Sequence, residues 1–243
     1  MVQENSEEES GITVIEVVRS NMAQKGTITV EKSGEVFSSV AGDKGLYQPI
    51  FSVSGLEGAV YEITAAEDIV TLDGTVRANK GEVVDTVTTG KDGTVKSKTN
   101  CISGKIEVKE ITAPYGMVLN EKVHSVELVY AGQNVDVTET ATSFYNERQR
   151  VEIDLIKSLA IDEAYGIGKN GEIFDVTFGL YAAEELTAAD GKTIPADGLI
   201  EVISLDESGH GKAISDLPMG SYYVQEISTN SAILSAMQNT RYF

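Results

Sequence analysis

The sequence contains few of the residues on which several common protein functions depend. Of its 243 residues, one is cysteine, two are histidine and none is tryptophan. The single thiol, Cys101, cannot close a disulfide within the chain, so a disulfide framework is excluded. His124 and His210 have no repeated partner pattern around them, which favours ordinary histidines over metal ligands. We therefore expect no metal and no cofactor.

Basic residues are also scarce. Lysine and arginine together number 19 against 38 acidic residues, which gives a formal net charge of −19. Nucleic acids and anionic membrane surfaces are both bound through clustered Lys and Arg. No apolar run approaches the roughly 18 residues of a membrane-spanning helix. The composition therefore predicts no nucleic-acid partner and no membrane insertion in this segment, and it indicates a solvated acidic surface.

The pattern that the sequence does contain is that of β-strands. From Lys25 onward, short runs rich in Thr, Val and Ile alternate apolar and polar residues, as in 26–34 and 104–111. Turn signals containing Gly and Asp separate these runs, for example at 91–93 and 189–191. Few segments sustain the apolar period of a helix. The predicted fold class is all-β, with a sandwich architecture.

The chain also repeats itself. The segments 55–68 and 104–116 are echoed at 178–186 and 220–230. We predict a first copy over residues 25–148 and a second copy over 149–243. Residues 1–24 are predicted to be an acidic leader, or the remnant of a preceding module, that is too polar to order itself. Because the joint ERQR is very short, we expect the copies to stand end to end with little hinge freedom.

Strand parity places charged residues in the predicted cores. Side chains alternate across a strand, so residues of equal parity share one face. By this count Lys32 and Lys157 lie on the apolar faces of matching strands, and Glu110 and Glu226 do so on a later strand of each copy. Asn146 shares its face with the aromatic residue two positions before it. Buried Lys and Glu are rare, because a charge leaves water only at a large cost unless it is paired or neutralised.

Two interpretations of these inward residues are open at this point. The first is a buried Lys–Glu ion pair, or strand-end side chains that reach solvent. The second starts from the fact that desolvation favours the neutral forms of both groups, and a neutral amine is a nucleophile. A protonated Glu110 would then hydrogen-bond the carboxamide oxygen of Asn146 and shuttle the proton as Lys32 attacks and ammonia leaves. The product is a Lys32–Asn146 isopeptide bond.

At these residues the chain resembles the B-type repeat domains of the collagen adhesin, which are isopeptide-forming Ig-like domains of Gram-positive surface proteins and pilins. The most specific element is GKIEVKEITAPYG at 104–116, which is similar to the family signature around the catalytic glutamate. Lys32 and Asn146 also match the family positions for the crosslinked pair. The resemblance implies two tandem transthyretin-like (prealbumin-like, reversed Ig) sandwiches. It also implies a structural role without enzymatic turnover, in which Glu110 serves only the chain's own crosslink.

The second copy departs from the family pattern near its end. It matches at 151–158 and 216–230, which makes Lys157 and Glu226 the pair that corresponds to the lysine and glutamate of the first copy. Only 17 residues follow Glu226, whereas 36 separate the first glutamate from its asparagine. We therefore expect the second sandwich to lack its last strand and to expose a sheet edge.

The residues after Glu226 do not restore the crosslink. Asn230 follows the glutamate too closely, and Asn239 lies in a tail that departs from the family continuation. Lys157 is accordingly predicted to be an unpaired counterpart of the first lysine, and Glu226 to lack a partner. We expect no second isopeptide bond within this chain, which we take to be a fragment of a longer protein.

The predicted function is that of a stalk or pilin-like module in a bacterial cell-surface adhesin. The resemblance implies an extracellular location, with anchoring to the cell wall through a parent protein, and neighbouring repeats as partners. An alternative is an adhesive module that recognises a host extracellular-matrix protein or a glycan, although aromatic residues for stacking on sugars are few. A hydrolase is a third candidate, against which the lack of a nucleophile–base motif weighs.

Overall fold

A computed structural model of the chain describes residues 3–4, 15–18, 24–42, 45–71, 73–98, 104–229 and 240–242. Nearly all of its regular structure is β-strand, which confirms the all-β prediction. Strands form because the alternating runs place one apolar side chain in two against a core while the other faces water. Among the described residues, no helix is long and apolar enough to cross a membrane. Cys101, Asn230 and Asn239 lie outside the described residues.

The leader and the first copy contribute twelve of the described strands. They are β1 (Gln3–Glu4), β2 (Ile15–Glu16), β3 (Lys25–Ala41), β4 (Gln48–Gly55), β5 (Val60–Ala65), β6 (Ile69–Val70), β7 (Val76–Ala78), β8 (Val83–Thr88), β9 (Thr94–Lys96), β10 (Gly104–Thr112), β11 (Val123–Leu128) and β12 (Val137–Asn146).

The second copy contributes eight further described strands and a single-turn helix. The strands are β13 (Asp154–Ile156), β14 (Thr177–Ala182), β15 (Leu186–Thr187), β16 (Thr193–Ile194), β17 (Leu199–Ser204), β18 (His210–Lys212), β19 (Tyr222–Ser228) and β20 (Thr240–Tyr242), and the 3₁₀ helix spans Glu172–Asp175.

The first copy is a sandwich of two sheets around one core. One sheet has the strand order β11-β10-β5-β8, and the other has the order β12-β3-β4 with β9 also paired to β3. Ile28 and Val30 of the second sheet pack against Tyr61 and Ile106 of the first, and all four are fully buried. The alternation that predicted these strands therefore also assigns their inner faces correctly.

The first and last strands of this sandwich are neighbours. β12 runs parallel to β3 along ten residue pairs, from Val137 opposite Lys25 to Asn146 opposite Gly34. The paired residues of these parallel strands are 112 positions apart in sequence, so the strands are joined through the rest of the domain. The β3–β12 ladder therefore places the first and last strands side by side, with the entry of the first copy at one end of the ladder and its exit at the other.

The second copy repeats the first sheet in order and register. Its strands run β17-β14-β19-β20, as β8-β5-β10-β11 do in the first copy. β13 pairs with β18 as β3 pairs with β9. A second buried cluster, which includes Leu180, Ile203 and Leu217, forms its core. Among the described residues of this copy, no strand takes the place of β12.

The two copies are joined by more than the short ERQR segment. β3 and β4 continue past the first core as a long hairpin, and Phe37, Val40 and Tyr47 of this hairpin pack against the second core. The backbone N–H of Ala189 donates to the carbonyl oxygen of Phe37 at 2.9 Å. The hairpin thus adds a packing contact and a backbone hydrogen bond between the copies; the small hinge freedom expected from the joint stays a prediction.

The leader is not wholly without paired backbone. Gln3–Glu4 and Ile15–Glu16 form a two-residue antiparallel ladder, because backbone groups can pair whatever the side chains are. Val17 and Val18 that follow are 63% and 78% exposed, in keeping with a solvated segment. The expectation of a leader with no order is therefore wrong for the two short strands.

Candidate functional site

β3 carries Lys32 into the core of the first sandwich, as its parity predicts. The side chain of Lys32 has no solvent exposure. Its Nζ lies 5.9 Å from the ring centroids of both Tyr61 and Phe144, which wall the site on two sides. The strand alternates apolar and polar residues up to this position, so Lys32 takes the inward place that an apolar side chain would normally fill.

Glu110 and Asn146 meet Lys32 at one point in this core. Lys32 Nζ lies 2.9 Å from Glu110 Oε1, and the Glu110 side chain is also fully buried. Lys32 Nζ donates a short hydrogen bond to Asn146 Oδ1. Asn146 Nδ2 in turn donates to Glu110 Oε1 at 2.9 Å. The structure thus brings together the three residues that the sequence predicts for the site, from three different strands.

The carboxamide of Asn146 is oriented differently from the sequence-based expectation. We expected Glu110 to hydrogen-bond the carboxamide oxygen, whereas the structure places Nδ2 against Glu110 and Oδ1 against Lys32. This orientation is the one that suits an ammonium donor and a carboxylate acceptor, since a carboxylate accepts from the amide NH₂. The carboxamide of Asn146 still contacts both groups, through Oδ1 to Lys32 and through Nδ2 to Glu110.

Burial sets the electrostatics of the site. Desolvation lowers the pKa of Lys32 below its ordinary value, and the hydrogen bond and charge of Glu110 oppose this effect without cancelling it. Burial likewise raises the pKa of Tyr61, with the charge of Glu110 as a smaller contribution. The core therefore moves Lys32 toward the neutral amine that a nucleophile must be.

Asn120 supports the site and was not found from the sequence. Its backbone N–H donates to Glu110 Oε2 at 2.8 Å, so both carboxylate oxygens of the glutamate have partners. Its side-chain Nδ2 donates to the carbonyl oxygen of Tyr145 at 2.9 Å, which ties the loop after β10 to β12. Every residue except proline has a backbone N–H, so the residue type at position 120 does not reveal this contact in the sequence.

The corresponding site of the second copy holds two groups instead of three. Lys157 Nζ lies 2.7 Å from Glu226 Oε2, with the side chains 18% and 4% exposed. Lys157 and Glu226 thus form an ion pair with each other, and the expectation that neither has a crosslink partner stays a prediction. Glu226 Oε1 is buried and has no hydrogen-bond partner among the residues that the structure describes. What the second site lacks among the described residues is a carboxamide.

The described residues offer no group of three or more His, Cys, Asp or Glu side chains that could hold a metal ion. His124 stacks on Phe144 with the ring centroids 3.9 Å apart and hydrogen-bonds the hydroxyl of Thr142. It therefore serves the packing of β11 against β12.

Comparison with known proteins finds one domain family that matches part of the chain. Residues 52–142 match the family described as "SpaA: Prealbumin-like fold domain", a segment that contains Glu110 but ends before Asn146. No curated protein matches the chain.

Several solved structures are similar to the chain. The Bacillus anthracis TIE protein is 21% identical, with 90% of this chain and 31% of that chain covered and a TM-score of 0.53. A streptococcal ancillary pilin is 16% identical over 97% of this chain and 63% of that chain, with a TM-score of 0.33. The shaft pilin SpaA from Lactobacillus rhamnosus GG is 14% identical over 90% and 93%, with a TM-score of 0.33.

These similarities do not all support a conclusion about the fold. The TIE protein comparison shows a shared fold, and the chain spans about a third of that protein's length. The TM-scores of the two pilins are too low to support an argument about this chain. The family match over residues 52–142 confirms the resemblance to a prealbumin-like domain that the block around Glu110 predicted.

Proposed function

We propose that the chain is a structural stalk or pilin-like module of a bacterial surface protein, a proposal supported by the match of residues 52–142 to the SpaA prealbumin-like domain family. In this proposal the first copy, over residues 25–148, is stabilised by a Lys32–Asn146 isopeptide bond that it forms itself. The module works outside the cell, is anchored to the cell wall through a parent protein, and is flanked by neighbouring repeats.

One observation supports this proposal above all others. Lys32, Glu110 and Asn146 are buried together, with Glu110 Oε1 2.9 Å from both Lys32 Nζ and Asn146 Nδ2. A buried Lys–Glu pair alone contributes little net stability, since desolvation offsets most of the attraction. An asparagine whose carbonyl oxygen contacts the amine and whose nitrogen contacts the acid is the additional feature that amide exchange requires.

The proposed reaction uses only these three side chains. A proton passes from Lys32 to Glu110 across their 2.9 Å contact, which leaves a neutral amine and a neutral acid. The Lys32 nitrogen attacks the carbonyl carbon of Asn146, a C–N bond forms, and the bond from that carbon to Nδ2 breaks. Glu110 delivers its proton to Nδ2, which leaves as ammonia, and one of the two protons on the attacking nitrogen passes to the glutamate and returns it to its acid form, while the other stays as the amide N–H.

The proposed bond lies where it carries tensile force that is applied to the two ends of the chain. Pulling the chain ends loads the parallel β3–β12 ladder in shear, because force enters at one end of β3 and leaves at the opposite end of β12. A covalent bond between Lys32 and Asn146 carries this load past the sheet hydrogen bonds. It closes a loop of 114 residues, for which chain entropy alone gives about 5 kcal/mol of stabilisation.

Single-molecule pulling tests the proposed function. We expect the wild-type chain to extend only through its second copy, because residues between Lys32 and Asn146 lie behind the bond. The Asn146→Ala variant is expected to show a further extension of roughly 400 Å, the contour length of the released segment. The second copy, which unfolds in both proteins, is the internal control. An equal total extension of the two proteins would contradict the proposal.

A further inference from the structure

We propose that Asn120 is a positioning residue for the crosslinking reaction and fixes which oxygen of Glu110 carries the transferred proton. The side chain of Asn120 takes the place of its own backbone N–H in a short antiparallel ladder, and the backbone N–H is thereby directed to Glu110. This inference rests on the proposed crosslink of the first copy. It adds a residue that touches neither of the two crosslinked side chains.

The loop after β10 pairs with the chain at the end of β12 in an antiparallel ladder. The N–H of Gln149 donates to the carbonyl oxygen of Gly116 at 2.8 Å. The N–H of Val118 donates to the carbonyl oxygen of Glu147 at 2.8 Å. Along each strand of such a ladder the donors recur at every second residue. The next bond in this register would therefore run from the N–H two residues after Val118 to the carbonyl oxygen two residues before Glu147.

Asn120 makes this bond with its side chain instead of its backbone. Its Nδ2 donates to the carbonyl oxygen of Tyr145 at 2.9 Å. Its Oδ1 accepts from the backbone N–H of Lys122 at 3.1 Å, which orients the carboxamide with its NH₂ group toward Tyr145. The backbone N–H of Asn120 is thus left out of the ladder, and it donates to Glu110 Oε2 at 2.8 Å.

This exchange of donors depends on a carboxamide at position 120. An aspartate side chain would offer acceptors and no donor, and an alanine side chain would offer neither. In both cases the carbonyl oxygen of Tyr145 would lose its side-chain donor, and the backbone N–H of residue 120 would be drawn back into the ladder. The residue type at position 120 therefore controls whether Glu110 keeps its backbone contact.

The contact with Asn120 distinguishes the two oxygens of the Glu110 carboxylate. Oε1 lies 2.9 Å from both Lys32 Nζ and Asn146 Nδ2. Oε2 faces the N–H of Asn120, which donates a hydrogen bond and has no lone pair to accept one. Such a bond favours negative charge on the oxygen that accepts it. The proton that leaves Lys32 is therefore carried by Oε1.

Oε1 can serve every proton transfer of the proposed reaction. It takes a proton from Lys32 Nζ, and the neutral amine attacks the carbonyl carbon of Asn146. The new C–N bond forms, the bond to Nδ2 breaks, and Oε1 gives its proton to Nδ2, which leaves as ammonia. One of the two protons on the attacking nitrogen then passes to Oε1, and the other stays as the amide N–H. Because Oε1 contacts both partners at 2.9 Å, the carboxylate does not have to rotate between these steps.

The rate of crosslinking in the full chain tests this role. Cell-free synthesis is stopped at a series of times, and mass spectrometry gives the fraction of chains that have lost one ammonia. We expect Asn120→Ala to slow this loss by about tenfold or more relative to the wild type, because Glu110 is no longer held in one orientation. Val118→Ala is the matched control. Its side chain is 50% exposed and its backbone bond to Glu147 is unaffected, so it should keep the wild-type rate.

A second variant removes the backbone N–H alone. An ester analogue of Asn120, in which oxygen replaces the backbone nitrogen, is introduced by nonsense suppression in the same synthesis. It keeps the side chain and its contact with Tyr145, so it should slow crosslinking only through the lost bond to Glu110. We expect a reduction of the rate similar to that of Asn120→Ala.

The pH dependence of the rate separates positioning from a general loss of structure. Crosslinking falls at low pH, where the Glu110 carboxylate is protonated before it can accept from Lys32. Without the N–H donor the ionised carboxylate is less favoured, so this acid limb should move upward by about one pH unit in both Asn120 variants. Among the described residues, Lys32 contacts Glu110 and the charge of Glu110 acts on Tyr61, and both side chains are unchanged in the variants.

The outcomes separate this inference from the proposed function. A wild-type chain that loses no ammonia would contradict the proposed crosslink itself. A wild-type chain that crosslinks no faster than the two Asn120 variants would overturn only the role of Asn120. A slower rate with an unmoved acid limb would also overturn it, since the substitutions would then act by loosening the first copy. Circular dichroism checks the fold of each variant, and the ester analogue, which keeps every side chain, decides the question if Asn120→Ala does not fold.

Discussion

Lys32 points inward by strand parity, is buried in the core, and owes its reactivity to that burial. An amine in a core between two aromatic rings loses its hydration, and this loss lowers its pKa despite the neighbouring glutamate. The same burial is unfavourable for a protonated lysine in any chain that cannot form the crosslink. The pH dependence of an uncrosslinked variant therefore reports directly on the state of this side chain.

The Asn146→Ala variant is predicted to become more stable as the pH rises. The pKa of Lys32 in the folded state lies below its ordinary value of 10.5, so between these two values the unfolded chain binds more protons than the folded chain. The free energy of unfolding of the first copy should therefore increase with pH across this interval and be independent of Lys32 below it. Urea denaturation at a series of pH values measures this slope.

The double variant Lys32→Met/Asn146→Ala is the control for this measurement. It keeps every other titratable group and removes only the buried amine, so it should lack the additional increase in stability with pH. If the two variants showed the same dependence on pH, the lowered pKa of Lys32 would not contribute to the stability of the first copy.

Strand parity predicted that the three side chains of the site point inward, and the family resemblance around Glu110 grouped them as one site. Lys32, Glu110 and Asn146 each continue an apolar face, and a face is a property that alternation alone reveals. Asn120 could not be found in this way, because its backbone N–H makes the contact with Glu110. Arg148 was assigned to a polar joint, yet it is only 7% exposed, because Glu35 pairs with it at 3.0 Å and Asp216 pairs with it from the second copy.

At the scale of the elements, β3 is the strand that links both cores. Its first half carries Lys32 into the first sandwich, and its second half forms the hairpin with β4 that packs on the second sandwich. The sequence predicted the first half from its alternation. The second half was missed because residues 36–41 are half-buried on both faces, so the two-residue period is weak there. A register shift between Phe37 and Ser39 interrupts it further.

Shortening the Phe37 side chain on the β3–β4 hairpin is predicted to lower the stability of the second copy. Phe37 is half-buried and packs against the second core, so Phe37→Ala should lower the opening free energy of that core by about 2 kcal/mol, part of the cost of a fully buried Phe→Ala change. Hydrogen exchange of the amides in β14 and β19 measures this value. Val53→Ala is the matched control, since Val53 lies on the same hairpin and is 61% exposed.

The two variants should differ in where they act. Val53→Ala should leave exchange in both copies nearly unchanged, and Phe37→Ala should leave exchange in β5 and β10 of the first copy unchanged. Equal effects of the two substitutions on β14 and β19 would show that the hairpin does not stabilise the second core.

At the scale of the whole molecule, the two copies share one topology but differ in how they are completed. The first copy has its last strand, its asparagine and a closed site. The second copy has the lysine and the glutamate beneath an open edge of the described sheet. Internal repetition in the sequence predicted both the shared order of strands and this difference. The contact between the copies could not be predicted, because it depends on the tertiary placement of the hairpin.

The mass of the intact chain, with peptide mapping, tests the central claim most directly. We predict a mass one ammonia below that of the sequence, with Lys32 joined to Asn146 in the mapped peptides. Glu110→Gln should restore the full mass because the proton shuttle is lost, while Glu226→Gln should retain the deficit. A wild-type chain of unmodified mass, with Lys32 and Asn146 in separate peptides, would contradict the account and leave the buried residues as an ion pair beside an asparagine.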